Sequence, residues 1–330
     1  MAVAIGLLVG GGRAAAQHLP ALPPRVGQVL GQLGINTDVG PSALLGDWQA
    51  AFRVPVKSPE LVEVMERART GDVVLPLDHA LFAPETAEVG HWHSEFFLAN
   101  YGTALILSAP FSADRVPLVL VPGINGSARD FAELVRHVDR SRYQPLYFVY
   151  PSGMALAGAA RQLGMRLKEL VGRHPVDRFA VIAHSMGGLV AAGVVDEVDV
   201  ADALPSWRAL IAISSPFAGV ETAQYAERLP QHPPAWDDLA GRSAFLTKLQ
   251  ATRFPRTLDF YLFFGARSSR RLLSTLGNND GVLTLDAVVG SPLSGSARDV
   301  FGFYEDHMSI LAAPLVFRRL DEILASELGG

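Results

Sequence analysis

A serine at a sharp turn between an apolar strand and a helix of small residues constrains this chain more than any other feature. The turn is Ala183-His184-Ser185-Met186-Gly187-Gly188. An apolar run from Arg178 to Ala183 precedes it, and Leu189-Val-Ala-Ala-Gly-Val-Val195, which reads as helix, follows. A nucleophile elbow needs this context, because the hydroxyl must project above the sheet edge while strand and helix nearly touch. Gly187 supplies the small residue two places after Ser185, and Ala183 supplies it two places before.

A nucleophilic serine needs a base, an acid to orient the base, and donors for the oxyanion. Where the order is serine, acid, histidine, both partners follow the serine along the chain. His307, in Tyr304-Glu-Asp-His307-Met-Ser309, follows an expected last strand, Asp299 to Tyr304, and precedes a helical run from Ile310 to Leu328. The candidate acid is Asp280, after the strand-like Leu258 to Phe264; Asn and Gly around it suit a tight loop whose backbone donors hold a carboxylate ionised. Asp286, Glu305 and Asp306 compete. Asp286 falls in or after a short expected strand, Val282 to Leu285. Glu305 and Asp306 stand too near His307 in sequence to reach its far ring nitrogen.

Two backbone N–H groups would receive the oxyanion. One belongs to Met186, after the serine; the other is expected from Ile124, in the loop Pro122-Gly-Ile-Asn-Gly-Ser127 after the β-prone run Val116 to Val121.

From Val121 onward strands and helices alternate. Helices are expected over about Ala128–Val138 and Ala155–Gly172, and strands over Pro145–Tyr150 and Ala209–Ser214. This predicts an α/β class: a mainly parallel sheet covered by helices on both faces. Upstream, Ser58 to Arg69 has helical spacing with a serine cap. Tyr101 to Leu107 reads as a strand hairpinned with Val116 to Val121. The alternation breaks at about residues 217–254, a proline-containing insertion. Its Phe217, Tyr225, Trp236, Phe245 and Leu249 suit mostly packing, with one or two facing the pocket.

The pieces Val119-Leu-Val-Pro-Gly-Ile-Asn-Gly-Ser127, Tyr150-Pro-Ser-Gly153, Ala183 to Gly188, Ser215-Pro-Phe-Ala-Gly219, Asn279-Asp-Gly281 and Asp306-His307 together carry a family resemblance. The chain resembles bacterial α/β-hydrolase lipases and esterases, including the branch similar to GPI-inositol-deacylase-like hydrolases. The resemblance implies an α/β-hydrolase fold with a small cap insertion. It implies Ser185 as nucleophile, Asp280 as acid and His307 as base, with Ile124 and Met186 at the oxyanion hole. The implied activity is carboxylic-ester hydrolysis through an acyl-enzyme. An acyltransferase of the same fold, or a hydrolase fold used only for binding, are the alternatives. Such proteins usually carry His-Gly where this chain has Pro122-Gly123, so a histidine brace on that loop is lost. Ser214-Ser215-Pro216 stands where Gly-Thr-Pro is frequent, which reads as conservative.

Composition bounds the rest. At 330 residues and 49% hydrophobic, the chain can bury a large core. We expect one domain over 47–330, after a lead-in over 1–46 that is rich in Pro and Gly from Gln17 to Gly46. A formal charge of −5 gives no electrostatic case for nucleic acid. The resemblance implies a small-molecule ester or lipid as substrate, and no stable protein partner is expected. Without cysteine there is no disulfide or thiolate nucleophile. No cofactor or metal is expected: His91 and His93 would share a face on a strand but lack a third ligand, and Met308 and Ser309 after His307 give calcium no carboxylate. Residues 1–16 have the outline of a leader, an apolar run and then Ala14-Ala15-Ala16, but no Lys or Arg precedes that run. Export, membrane association and a cytoplasmic location all stay open.

Overall fold

The computed structural model describes residues 54–197, 200–221, 223, 232–267 and 279–329. Seven strands among them form a sheet: β1 (Ala104–Leu107), β2 (Val116–Val121), β3 (Tyr143–Val149), β4 (Phe179–His184), β5 (Trp207–Ile213), β6 (Asp259–Gly265) and β7 (Asp299–Phe303). Their order across the sheet is β1-β3-β2-β4-β5-β6-β7. β1 runs antiparallel to β3, and every other pairing is parallel.

The helices are α1 (Pro59–Thr70), α2 (Pro84–Trp92), α3 (Ser94–Asn100), α4 (Ala132–His137), α5 (Leu156–Arg173), α6 (Met186–Glu197), α7 (Pro234–Asp238), α8 (Ala244–Ala251), α9 (Leu285–Val289) and α10 (Pro314–Leu328). A further short turn of helix spans Val200–Ala203. Successive side chains of a strand point to opposite faces, and β2 and β4 use both. Val119, Val121, Val181 and Ala183 join one apolar cluster with α5 and α6; Leu118, Leu120, Ala180 and Ile182 join another with α1, α4 and α10. Both faces of the central strands are thus dry, as a parallel sheet requires. The apolar positions of α5, Leu156, Ala159, Ala160, Leu163, Leu167 and Leu170, recur at helical spacing and are buried. No side chain of its own caps α5. Asp238 of α7 does so instead, accepting from Leu156 N at 2.7 Å.

Three local expectations are corrected. β1 does not hairpin with β2; β3 lies between them. Every residue of β3 is buried, so it takes an interior slot and leaves β1 to the edge. Val282 to Leu285 is not a strand: Thr284 bridges Asn279, then caps α9 by accepting from Ala287 N, which puts Asp286 in a helical first turn. His91 and His93 do not share a strand face. Pro84 starts α2, which carries His91, and His93 is its C-cap. The serine cap of α1 is present, Ser58 Oγ accepting from Leu61 N at 3.3 Å.

No helix among the described residues is long and apolar enough to cross a membrane. The leader-like N-terminus and Tyr225 lie outside the described residues.

Candidate active site

β4 ends at His184 and α6 begins at Met186, so Ser185 alone makes the turn. Its φ is +52°, a left-handed angle that costs a non-glycine residue about 1–3 kcal/mol. Two bonds hold it there. Ser185 N donates to Ile213 O of β5 at 2.8 Å, and Gly188 N donates to Ser185 O at 3.0 Å. A Cβ on Gly187 would lie 2.5 Å from Val121 O and 2.6 Å from Pro122 O, so only glycine lets the helix approach β2 this closely. A Cβ on Gly188 would run into the Ser215 hydroxyl. Ala183 is fully buried in β4, in register with Val121 and Ala212.

The loop after β2 closes directly onto the serine: a Cβ on Gly123 would stand 2.8 Å from Ser185 Cβ and 3.4 Å from its Oγ. The N–H groups of Ile124 and Met186 are used by no turn, loop or cap bond among the described residues. Met186 N, in the first turn of α6, also has no partner within the helix. The structure gives this loop a brace that the sequence did not reveal. Tyr150 Oη donates to Pro122 O at 2.8 Å, and Asn125 N donates to Ser152 Oγ at 2.9 Å. Burial pushes the Tyr150 phenol up, so it stays a donor. A capping box between Ser127 and Asp130 closes the far end of the loop. The only hint in the sequence was the Tyr-Pro-Ser at the end of β3, the strand beside β2.

Asp280 and His307 meet beyond the ends of β6 and β7. His307 Nδ1 lies 2.8 Å from Asp280 Oδ2, and His307 N donates to Asp280 O at 2.9 Å. The other carboxylate oxygen, Oδ1, accepts from Val282 N at 3.0 Å and Leu283 N at 2.7 Å. Burial pushes the Asp280 carboxyl up, but the His307 charge, its hydrogen bond and the two backbone donors outweigh that and hold it below its ordinary value. The competing acids are engaged elsewhere. Asp306 bonds Arg267 at 3.1 Å and accepts from Ser309 N at 2.8 Å, and Glu305 accepts from the Ser309 hydroxyl at 2.6 Å.

His307 lies at the same sheet edge as Ser185. His184, the residue before the serine, has its Nε2 2.9 Å from His307 O, and the two imidazole centroids are 4.7 Å apart. No hydrogen bond joins Ser185 Oγ to His307 among the described residues. In unliganded sites such contacts are often long and tighten only with substrate. Ser185 and His307 are 8% and 7% exposed, so water's access to the pair is narrow.

The described residues of the insertion are largely packed. Phe217, Trp236 and Leu249 are buried and Phe245 is partly buried against the α5 and α6 side of the core. Among the described residues no group of three or more His, Asp or Glu side chains is placed to hold a metal ion.

A family described as an alpha/beta hydrolase of unknown function (DUF915) matches residues 155–271. No curated protein matches the chain by sequence. Among solved structures, the mature form of Bacillus licheniformis lipase BlEst2 superposes with a TM-score of 0.55 at 18% identity, over 67% of this chain and 97% of that one. Its propeptide form gives a TM-score of 0.51 at 17% identity, over 64% of this chain and 51% of that one. With the strand order above, these likenesses show the fold.

Proposed function

From the α/β-hydrolase fold as premise, we propose that this chain is a serine hydrolase that cleaves carboxylic esters through an acyl-enzyme. The observation that carries the reading is the left-handed Ser185 at the β4–α6 turn, with the Asp280–His307 pair tied to the same edge. Ser185 Oγ attacks the ester carbonyl carbon while His307 Nε2 takes its proton. Asp280 stays ionised, fixes the Nδ1–H tautomer and stabilises the imidazolium. Ile124 and Met186 N–H groups receive the developing oxyanion. His307 returns the proton to the departing alkoxide oxygen. Water, deprotonated by His307 in turn, then attacks the acyl carbon; the acyl–Ser185 bond breaks, His307 returns the proton to Ser185 Oγ, and the acid is released.

The acyl group is proposed to be apolar. No Lys or Arg lies in the loops Pro122–Ser127 and Ala183–Gly188, so a charged acyl group lacks a partner there. Apolar acyl surface gains roughly 25 cal/mol per Å² on burial. The test is a p-nitrophenyl ester series of increasing chain length, on the wild type and Ser185→Ala side by side. The expected result is kcat/KM rising from acetate towards medium chains. In Ser185→Ala, kcat falls on the order of 10⁶-fold with an unchanged circular-dichroism spectrum. Wild-type turnover in Ser185→Ala would end the acyl-enzyme reading, and a steady fall with chain length would end the apolar-acyl reading.

A further inference from the structure

His184 is a buried imidazole, 3% exposed, that the mechanism above does not use. Its Nε2 stands 2.9 Å from the main-chain oxygen of His307. A carbonyl oxygen can only accept, so Nε2 carries the proton and donates it. The other anchors of His307 come from one residue. Its N–H donates to Asp280 O, and its Nδ1 faces Asp280 Oδ2. The turn that Asp306 makes with Ser309 N holds the flanking backbone, but both direct bonds of His307 itself reach one residue. The His184 bond adds a third point, on the carbonyl side, and it runs to the residue covalently joined to Ser185.

We propose that His184 is a positioning residue: the Nε2–H it donates to His307 O sets the reach of the His307 ring towards Ser185. The inference rests on the serine-hydrolase reading. The position calls for a neutral donor that fits in a buried space. Burial, with the His307 charge beside it, pushes the His184 imidazole down to about 3, so it stays neutral at working pH. No second cation then forms beside His307 when that ring takes the Ser185 proton. Proton transfer depends on near-attack geometry, and a misplacement of about 1 Å can cost on the order of 100-fold in rate.

The test compares His184→Gln, His184→Asn and His184→Leu in the full chain. A glutamine amide nitrogen can occupy the place of Nε2; an asparagine amide stops short of it, and leucine has no donor. Two rates are read: p-nitrophenyl butyrate hydrolysis, and labelling by a fluorophosphonate, which requires an activated serine. In His184→Leu and His184→Asn, kcat is expected to fall about 10- to 100-fold at unchanged KM, with labelling slowed by the same factor. His184→Gln recovers most of both. Should the leucine variant fail to fold, the Gln and Asn pair decides, read at matched melting temperature. Equal rates in Gln and Asn, or a wild-type kcat in the leucine variant, would overturn the proposal while leaving a labelled, active wild type. A wild type that neither labels nor turns over would overturn the serine-hydrolase reading beneath it.

Discussion

Tyr150→Phe removes one oxygen atom and isolates the brace on the loop after β2. The ring is stacked on Phe148 with centroids 4.8 Å apart and is 8% exposed, so phenylalanine keeps the packing and opens no cavity. What is lost is the 2.8 Å bond to Pro122 O. An average hydrogen bond contributes about 1 kcal/mol net, but deleting only the donor leaves a desolvated acceptor, which costs about 1–3 kcal/mol. The second figure governs here, because Pro122 is itself buried. A loss of about 2 kcal/mol corresponds to a melting temperature lower by roughly 4–8 °C. The kinetic effect follows from Ile124, two residues on. A wholly lost oxyanion donor costs about 10²- to 10³-fold, so one that is loosened rather than lost should lower kcat by about 10-fold at similar KM. Melting followed by circular dichroism and p-nitrophenyl butyrate kinetics read the two effects separately. An unchanged melting temperature and kcat would refute the brace. A lower melting temperature with wild-type kcat would show that the Ile124 N–H does not depend on it.

Asp280→Asn is expected to lower kcat by about 10⁴-fold, because an amide favours the wrong imidazole tautomer, whereas Asp286→Asn, in the first turn of α9, leaves it near wild type; the reverse result would move the acid to Asp286. The carboxyl of Asp280 lies below its unfolded value of about 3.9, so its stabilisation is complete above that pH and is lost as pH falls through the lowered native value. The melting temperature of Asp280→Asn should therefore fall less between pH 5 and pH 2 than that of the wild type, and parallel curves would refute this. Ser214→Gly is expected to stabilise by about 1 kcal/mol, relieving a φ of +48° and removing a buried hydroxyl without a hydrogen-bond partner; a lower melting temperature would count against it.

The elements legible in the sequence are those where local pattern and tertiary demand agree. The β4–turn–α6 unit could be read because its apolar run, small flanking residues and serine must be contiguous. The same holds for α5, whose apolar stripe is set by its own period. Long-range choices were hidden. The Tyr101 to Leu107 segment has β propensity, but propensity does not say which strand it will pair with; the full burial of β3 decides that. His91-Trp92-His93 carries no periodic signal, and Pro84 at the start of α2 made it helical. At the site, the order of serine, acid and histidine suggested the partners. The Tyr150 brace and the His184 link are invisible because each joins residues far apart in the chain, through groups whose types have many other uses.

Ser214-Ser215-Pro216, which the resemblance sets beside Gly-Thr-Pro, reads in the sequence as a conservative variant. In the backbone Ser214 takes a left-handed angle. Asn125, Ser185 and Ser214 are the non-glycine residues with positive φ among those described, and they follow β2, β4 and β5 at one edge of the sheet. Asparagine tolerates that region through its short polar side chain; serine does not share the advantage. Each strained residue therefore needs surroundings that permit little else. For Ser185 these are the bonds to Ile213 O and from Gly188 N; for Ser214, the bond to Phe263 O at 2.8 Å. The two turns also interlock, because the Ser215 hydroxyl fills the space that a side chain on Gly188 would need. Adjacent central strands, dry on both faces, make this interlock rigid. The left-handed angle at Ser214 thus places the residue after it against Gly188, in the first turn of α6.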